Sequence, residues 1–195
     1  MKPQLLLLAL AIPAALCAQQ PATNGNSGDV NINVQFYTPD IVRVTKTPAN
    51  SLGAQPSLVV TLEPQNVNVK KSASGGSTAY ASDKLKVTVD KNGKVTFALA
   101  KGGKLLEENS STFSPITSGT DKGSFKISQS FKLAANEKVY GVGTIQNGKL
   151  ERNNTETILE QSNLEDFQNV IQSIKGWESI GKTIRAENTP RKIPL

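Results

Sequence analysis

Histidine is absent from all 195 residues, and that one absence removes the commonest general base, the Ser/His/Asp and Cys/His nucleophile systems, and most zinc sites. A single cysteine, Cys17, stands near the start. A lone thiol closes no internal disulfide and builds no thiolate metal site, so stability has to come from packing. Aromatic residues are 5 % of the chain, too few for the stacking platform on which single-stranded nucleic acid lies. The formal net charge is +6, half of it carried by Lys2 and the segment after Trp177. The other lysines, among them Lys84, Lys86, Lys91, Lys94, Lys101 and Lys104, are spread over strands and turns as solvated sheet faces and edges require. No nucleic-acid partner is expected. Long apolar runs are missing too: the longest, residues 5–16, falls short of the roughly 20 residues that span a bilayer, so no membrane span is expected.

That apolar run follows Lys2 and leads to small residues near Ala18, the pattern of a secretory signal peptide over residues 1–18. Periplasmic or extracellular localisation follows from that reading. Cys17 offers the alternative of a lipoprotein, in which a lipidated cysteine becomes the new N-terminus. Leu16 argues against it, because such processing favours a small residue immediately before the cysteine. Residues 19–29, QQPATNGNSG and one more, are polar and rich in turn formers and are expected to form a flexible leader.

From Val30 the pattern changes to period two. Val30, Ile32, Val34 and Phe36 alternate with Asn31, Asn33 and Gln35, which puts one face of a strand on a core and the other in water. A turn at Thr38, Pro39 and Asp40 leads to a second strand from Ile41. Residues 58–62 form an apolar stretch between Pro56 and Pro64 and are expected to be a strand; residues 72–78, SASGGST, are expected to be a loop. Leu85, Val87 and Val89 alternate, Asp90 to Gly93 turns, and Val95, Phe97 and Leu99 resume, a strong hairpin signal around Asn-Gly. A further turn at Lys101 to Lys104 leads to Leu105 and Leu106. Phe125, Ile127, Gln129 and Phe131 share one face of a longer strand. Residues 155–167 have plausible helical spacings, yet strand and loop fit better. Short strands about every ten residues with almost no helical period predict an all-β fold, an antiparallel β-sandwich. Residues 30–177 are expected to be one domain, followed by a divergent, disordered tail over 178–195.

Carboxylates are the remaining candidates for acid–base chemistry. Glycoside hydrolysis uses two of them across a sugar, one with its pKa raised by burial. Neighbouring pairs such as Glu107 with Glu108 and Glu165 with Asp166 do not supply this, because adjacent strand residues point to opposite faces; both pairs read as solvated surface. Gly141-Val142-Gly143 is a GxG, but Gln146 stands where a dinucleotide fingerprint has its third glycine and no helix follows. A tight turn or bulge that needs glycine is the reading here.

The order of motifs is more specific than any one of them. Glu137, Tyr140, Gly141 and Gly143 are followed by Gln146 and Gly148, then Arg152, then Gln161 with Asn163, and finally Ser173, Lys175, Gly176 and Trp177. With residues 36–48 and 85–108 upstream, this succession resembles the N-terminal β-sandwich of family 31 glycoside hydrolases, the α-xylosidase and α-glucosidase type, and covers most of residues 30–177. The resemblance implies a galactose-mutarotase-like sandwich and a retaining hydrolase that needs no metal or organic cofactor. It also implies a catalytic (β/α)8 barrel after the sandwich, holding the aspartate nucleophile and acid/base. Neither aspartate can be assigned in this chain, and the loss of family character after Trp177 suggests truncation before the barrel, so no catalytic residue is named. In such enzymes the sandwich lends a loop to the rim of the sugar pocket. The resemblance places that loop at 146–154, with Gln146, Asn147, Lys149 and Arg152 as candidate partners of sugar hydroxyls or carboxylates. The expectation is therefore a noncatalytic domain of an exported α-glycosidase, with carbohydrate as partner. The alternative is a standalone carbohydrate-binding or cell-envelope interaction sandwich. A mutarotase-like enzyme is disfavoured by the lack of histidine.

Overall fold

A computed structural model describes residues 23–27, 30–49, 51, 57, 59–159, 166–181 and 191–194. The signal segment 1–18 with Cys17, the motif residues Gln161 and Asn163, and tail residues 182–190 lie outside the described residues. The elements are all strands: β1 (Thr23–Ser27), β2 (Val30–Thr38), β3 (Ile41–Pro48), β4 (Lys70–Ser74), β5 (Ser77–Ala81), β6 (Leu85–Val89), β7 (Val95–Leu99), β8 (Lys104–Pro115), β9 (Phe125–Lys132), β10 (Val139–Gly141), β11 (Glu156–Leu159), β12 (Val170–Ser173), β13 (Glu178–Ile180) and β14 (Arg191–Pro194). Among the described residues no helix is long and apolar enough to cross a membrane.

Every strand pair among the described residues is antiparallel. β1, β2 and β3 form one sheet, β4 to β9 a six-stranded meander in chain order, β10, β12 and β13 a third sheet, and β11 with β14 a two-stranded one. The alternation at the start of the domain does what period two demands. Val34 and Phe36 of β2 are buried with Val67, Tyr80, Val87 and Val95, and Val42, Val44, Leu85, Val89 and Phe97 pack around them. The three-stranded sheet therefore lies on one face of the meander, and the apolar side chains between them are the core. Burying a valine such as Val87, which is fully enclosed, stabilises the fold by about 2 kcal/mol.

The turns follow from their residues. The β6–β7 hairpin closes where Asp90 Oδ1 accepts from the Asn92 and Lys94 amides at 2.8 and 2.9 Å, the local bond by which aspartate competes with regular structure.

Four expectations are corrected. Residues 72–78 are not a loop: Ser74 pairs with Ser77 across a turn of Gly75 and Gly76, both at positive φ, as a two-residue hairpin turn matched to strand twist requires. Residues 58–62 contribute no strand among those described: the Ser57 hydroxyl accepts from the Val59 and Val60 amides at 3.3 and 3.1 Å, a local bond that competes with a ladder, and Val59 is 80 % exposed. The leader supplies β1, because Thr23–Ser27 pairs along the open edge of β2. The tail supplies β13 against β12 and β14 against β11, since strand edges offer unpaired N–H and C=O groups that a following segment can satisfy. In 155–167, where strand and loop were expected, β11 is the strand that forms.

Candidate functional site

The segment after β9 turns on its glycines. Gly141, Val142 and Gly143 have φ of 117°, 62° and 96°, a left-handed run that ordinary side chains resist. It brings the backbone close to the facing segment: Val142 donates to the Val170 carbonyl at 2.8 Å and Thr144 to that of Asp166 at 2.7 Å. A Cβ on Gly141 would collide with the Val170 carbonyl, and one on Gly143 with that of Asp166. The GxG is a close backbone approach and not a phosphate cradle, as the missing third glycine indicates.

Directly before it, Glu137 is buried and gathers the motif residues that sequence order had only strung together. Its Oε1 accepts from Ser173 Oγ at 2.5 Å and Trp177 Nε1 at 2.8 Å. Its Oε2 accepts from the Ala134 amide at 2.8 Å, with Lys175 Nζ at 3.7 Å. Burial, the largest single influence, pushes its pKa up, but the bonds from Ser173, the Ala134 amide and Trp177 together with the Lys175 charge outweigh it and hold the carboxyl below its ordinary value. A carboxylate kept ionised and saturated with donors is a clasp and not a general acid. Asn153 completes it, accepting from the Val139 amide at 2.8 Å and donating to the Glu137 carbonyl at 2.7 Å.

The loop 146–154 springs from this clasp. Gln146, Asn147 and Lys149 are exposed. Asn147 Oδ1 accepts from the Lys149 amide at 3.1 Å and from Arg152 Nη1 at 3.4 Å. Arg152 differs from the other three: it is 4 % exposed, its amide bonds the Val139 carbonyl at 2.8 Å, and its Nε is buried without a partner. The loop is thus a surface crest of amide and ammonium groups over a buried guanidinium. Three of the four candidates are exposed and can meet a ligand directly; Arg152 is buried, with its Nη1 on Asn147.

A second buried carboxylate escaped the sequence reading. Its place beside Glu107 predicts solvated surface, yet Glu108 is fully buried. It accepts from Lys46 Nζ at 2.5 Å, the Val95 amide at 2.9 Å and Gln129 Nε2 at 3.0 Å. Lys46 also reaches Ser111 Oγ at 3.2 Å. The signal was present in register: Lys46 follows Val42 and Val44 on the inward parity of β3, and a lysine there needs an acid. Glu107 points the other way, to Lys104 and Lys132 at 2.5 and 2.6 Å. Hydrogen bonds from those two lysines hold its pKa at about 2. The opposed directions of the pair are as alternation predicts. Among the described residues no group of three or more Cys, Asp or Glu could hold a metal ion.

Residues 31–173 match the family described as the glycosyl hydrolase 31 N-terminal galactose mutarotase-like domain. An α-xylosidase of Saccharolobus solfataricus is 26 % identical over 161 residues, which are 77 % of this chain and 22 % of that protein. The crystal structure of a GH31 α-xylosidase from Xanthomonas citri superposes with a TM-score of 0.69 at 22 % identity, covering 78 % of this chain and 17 % of that one. A GH31 α-xylosidase from a soil metagenome, complexed with xylose, gives 0.66 at 20 % identity, covering 77 % and 25 %. The chain therefore spans about a fifth of the length of the relatives it matches.

Proposed function

Because the chain belongs to the glycosyl hydrolase 31 N-terminal galactose mutarotase-like domain family, we propose that it is the noncatalytic accessory sandwich of an exported α-glycosidase of the α-xylosidase type. The observation that carries the reading is the state of the two acids buried among the described residues. Glycoside hydrolysis needs one carboxyl that holds a proton and a second that faces it across the sugar. Glu108 and Glu137 are both occupied by internal donors, and Glu137 is held ionised. The chemistry of such an enzyme then belongs to a partner barrel, and the sandwich contributes a rim. Export is supported by the apolar run behind Lys2.

The loop 146–154 is the part of the sandwich suited to that rim. Directed amide and ammonium donors on Gln146, Asn147 and Lys149 fit sugar hydroxyls, and the Glu137 clasp fixes the base from which the loop projects. Incubation with 4-nitrophenyl α-xyloside and α-glucoside tests the assignment. No 4-nitrophenol above a protein-free control is expected, and turnover would refute the placing of the chemistry elsewhere. Calorimetric titration with xylo- and gluco-oligosaccharides tests the rim: feeble binding by the chain alone is expected, whereas tight binding would instead favour a self-sufficient carbohydrate-binding module.

A further inference from the structure

The face of the meander turned away from the core has a composition of its own. Tyr80 pairs with Val87 and Val87 with Phe97 on the core side, so their neighbours Ala81, Lys86 and Ala98 point outward. Followed across β4 to β8, the outward register line reads Lys70, Ala81, Lys86, Ala98, Lys104. Lysines thus stand on alternate strands, about 10 Å apart at the backbone, given the spacing of neighbouring strands. The line beside it runs Ser72, Ala79, Thr88, Thr96, Glu107. No large apolar or aromatic side chain interrupts either line. Lys70, Lys86 and Lys104 are exposed. Glu107, the acid on this face, is already held by Lys104 and Lys132, and no ion pair among the described residues engages Lys70 or Lys86. Lysines outnumber acidic residues roughly two to one over residues 70–132, a local excess that attracts anionic partners.

We propose that this face binds a linear acidic polysaccharide, a sugar polymer whose carboxylates recur along its length. The ammonium groups of Lys70 and Lys86 meet carboxylates in charge-assisted hydrogen bonds. Between them the alanines leave a low floor on which a flat polymer can lie, and the hydroxyls of Ser72, Thr88 and Thr96 exchange hydrogen bonds with sugar hydroxyls. A single-stranded nucleic acid would find the charge but no aromatic ring for its bases. The inference goes beyond the rim role of loop 146–154, uses none of its residues, and stands or falls independently of whether the chain hydrolyses anything.

Calorimetric titration of the full chain with polygalacturonate, neutral dextran and oligothymidylate tests it. Saturable binding to polygalacturonate at low salt, fading as salt screens the charges, is expected, with none to dextran. K70Q and K86Q should each weaken it about fivefold, the worth of one cation at an anionic surface. K122Q, in the loop at the far end of the β8–β9 hairpin, should stay within about twofold, and circular dichroism should show all three variants folded. Absence of saturable binding at low salt overturns the proposal. So does oligothymidylate binding as tightly as polygalacturonate, or K122Q losing as much as K86Q, either of which would mean unspecific attraction of any polyanion.

Discussion

At the scale of single residues, the two buried glutamates answer different questions. Glu137 has its pKa lowered in the folded chain, so the stability it adds is complete above the ordinary glutamate range and is lost as pH falls through the lowered folded value. Urea midpoints measured from neutral pH to about pH 3 should therefore drop with acid in the parent and drop less in Glu137→Gln. At neutral pH that variant should be about 2 to 3 kcal/mol less stable, because an amide cannot accept from Ser173, Trp177 and the Ala134 amide as a carboxylate does. Glu108→Ala leaves Lys46 enclosed without its counter-charge and should cost about 3 to 5 kcal/mol, whereas Glu107→Ala, losing only surface pairs, should barely move the midpoint. The glycines separate in the same way. Gly148 has φ of 71° but open space around its Cβ position, so Gly148→Ala should cost about 1 to 2 kcal/mol from backbone conformation alone. Gly143→Ala should cost more, since its methyl meets the Asp166 carbonyl and the facing segment must move. The demand for glycine at 141 and 143 was legible in the sequence. The burial of Glu108 was not, because an acid beside another acid reads as surface until the strand register shows that its inward neighbour on β3 is a lysine.

Among the elements, legibility followed the strength of the period-two signal. β2, β6 and β7 alternate cleanly and were readable; β9 was readable as a strand, but Ile127 and Phe131 on its apolar face stay exposed. In residues 72–78 the serines and glycines predict a loop, yet the tight Gly75-Gly76 turn lets weak strand formers pair on both sides. Residues 58–62 go the opposite way: apolar content suggests burial, while the Ser57 hydroxyl takes the Val59 and Val60 amides that a ladder would use. Denaturant melts should show this directly. Val59→Ala, at an 80 % exposed position, should shift stability by less than about 0.5 kcal/mol, and Val87→Ala should cost about 2 to 3 kcal/mol through lost burial and the cavity left behind. The edge strands β1, β13 and β14 carry little pattern of their own and are recruited by the unpaired edges they meet, so no local reading could have found them.

For the whole molecule, the sandwich class and the family were legible because many weak motifs recur in one order, an argument that a single GxG could never carry. The proposal of loop 146–154 as a sugar rim rests on that resemblance; which side chains the clasp leaves exposed, and the burial of Arg152, lay outside what spacing can tell. The clasp also has an experimental consequence. Trp177 is the chain's single tryptophan, and its indole is tied to a carboxylate 40 residues earlier. Intrinsic fluorescence therefore watches one knot, while far-ultraviolet dichroism averages over every sheet. Coincident curves from the two probes would mean that the knot and the sheets come apart together; an earlier optical transition at Trp177 would mark the carboxyl-terminal third as a separately opening unit.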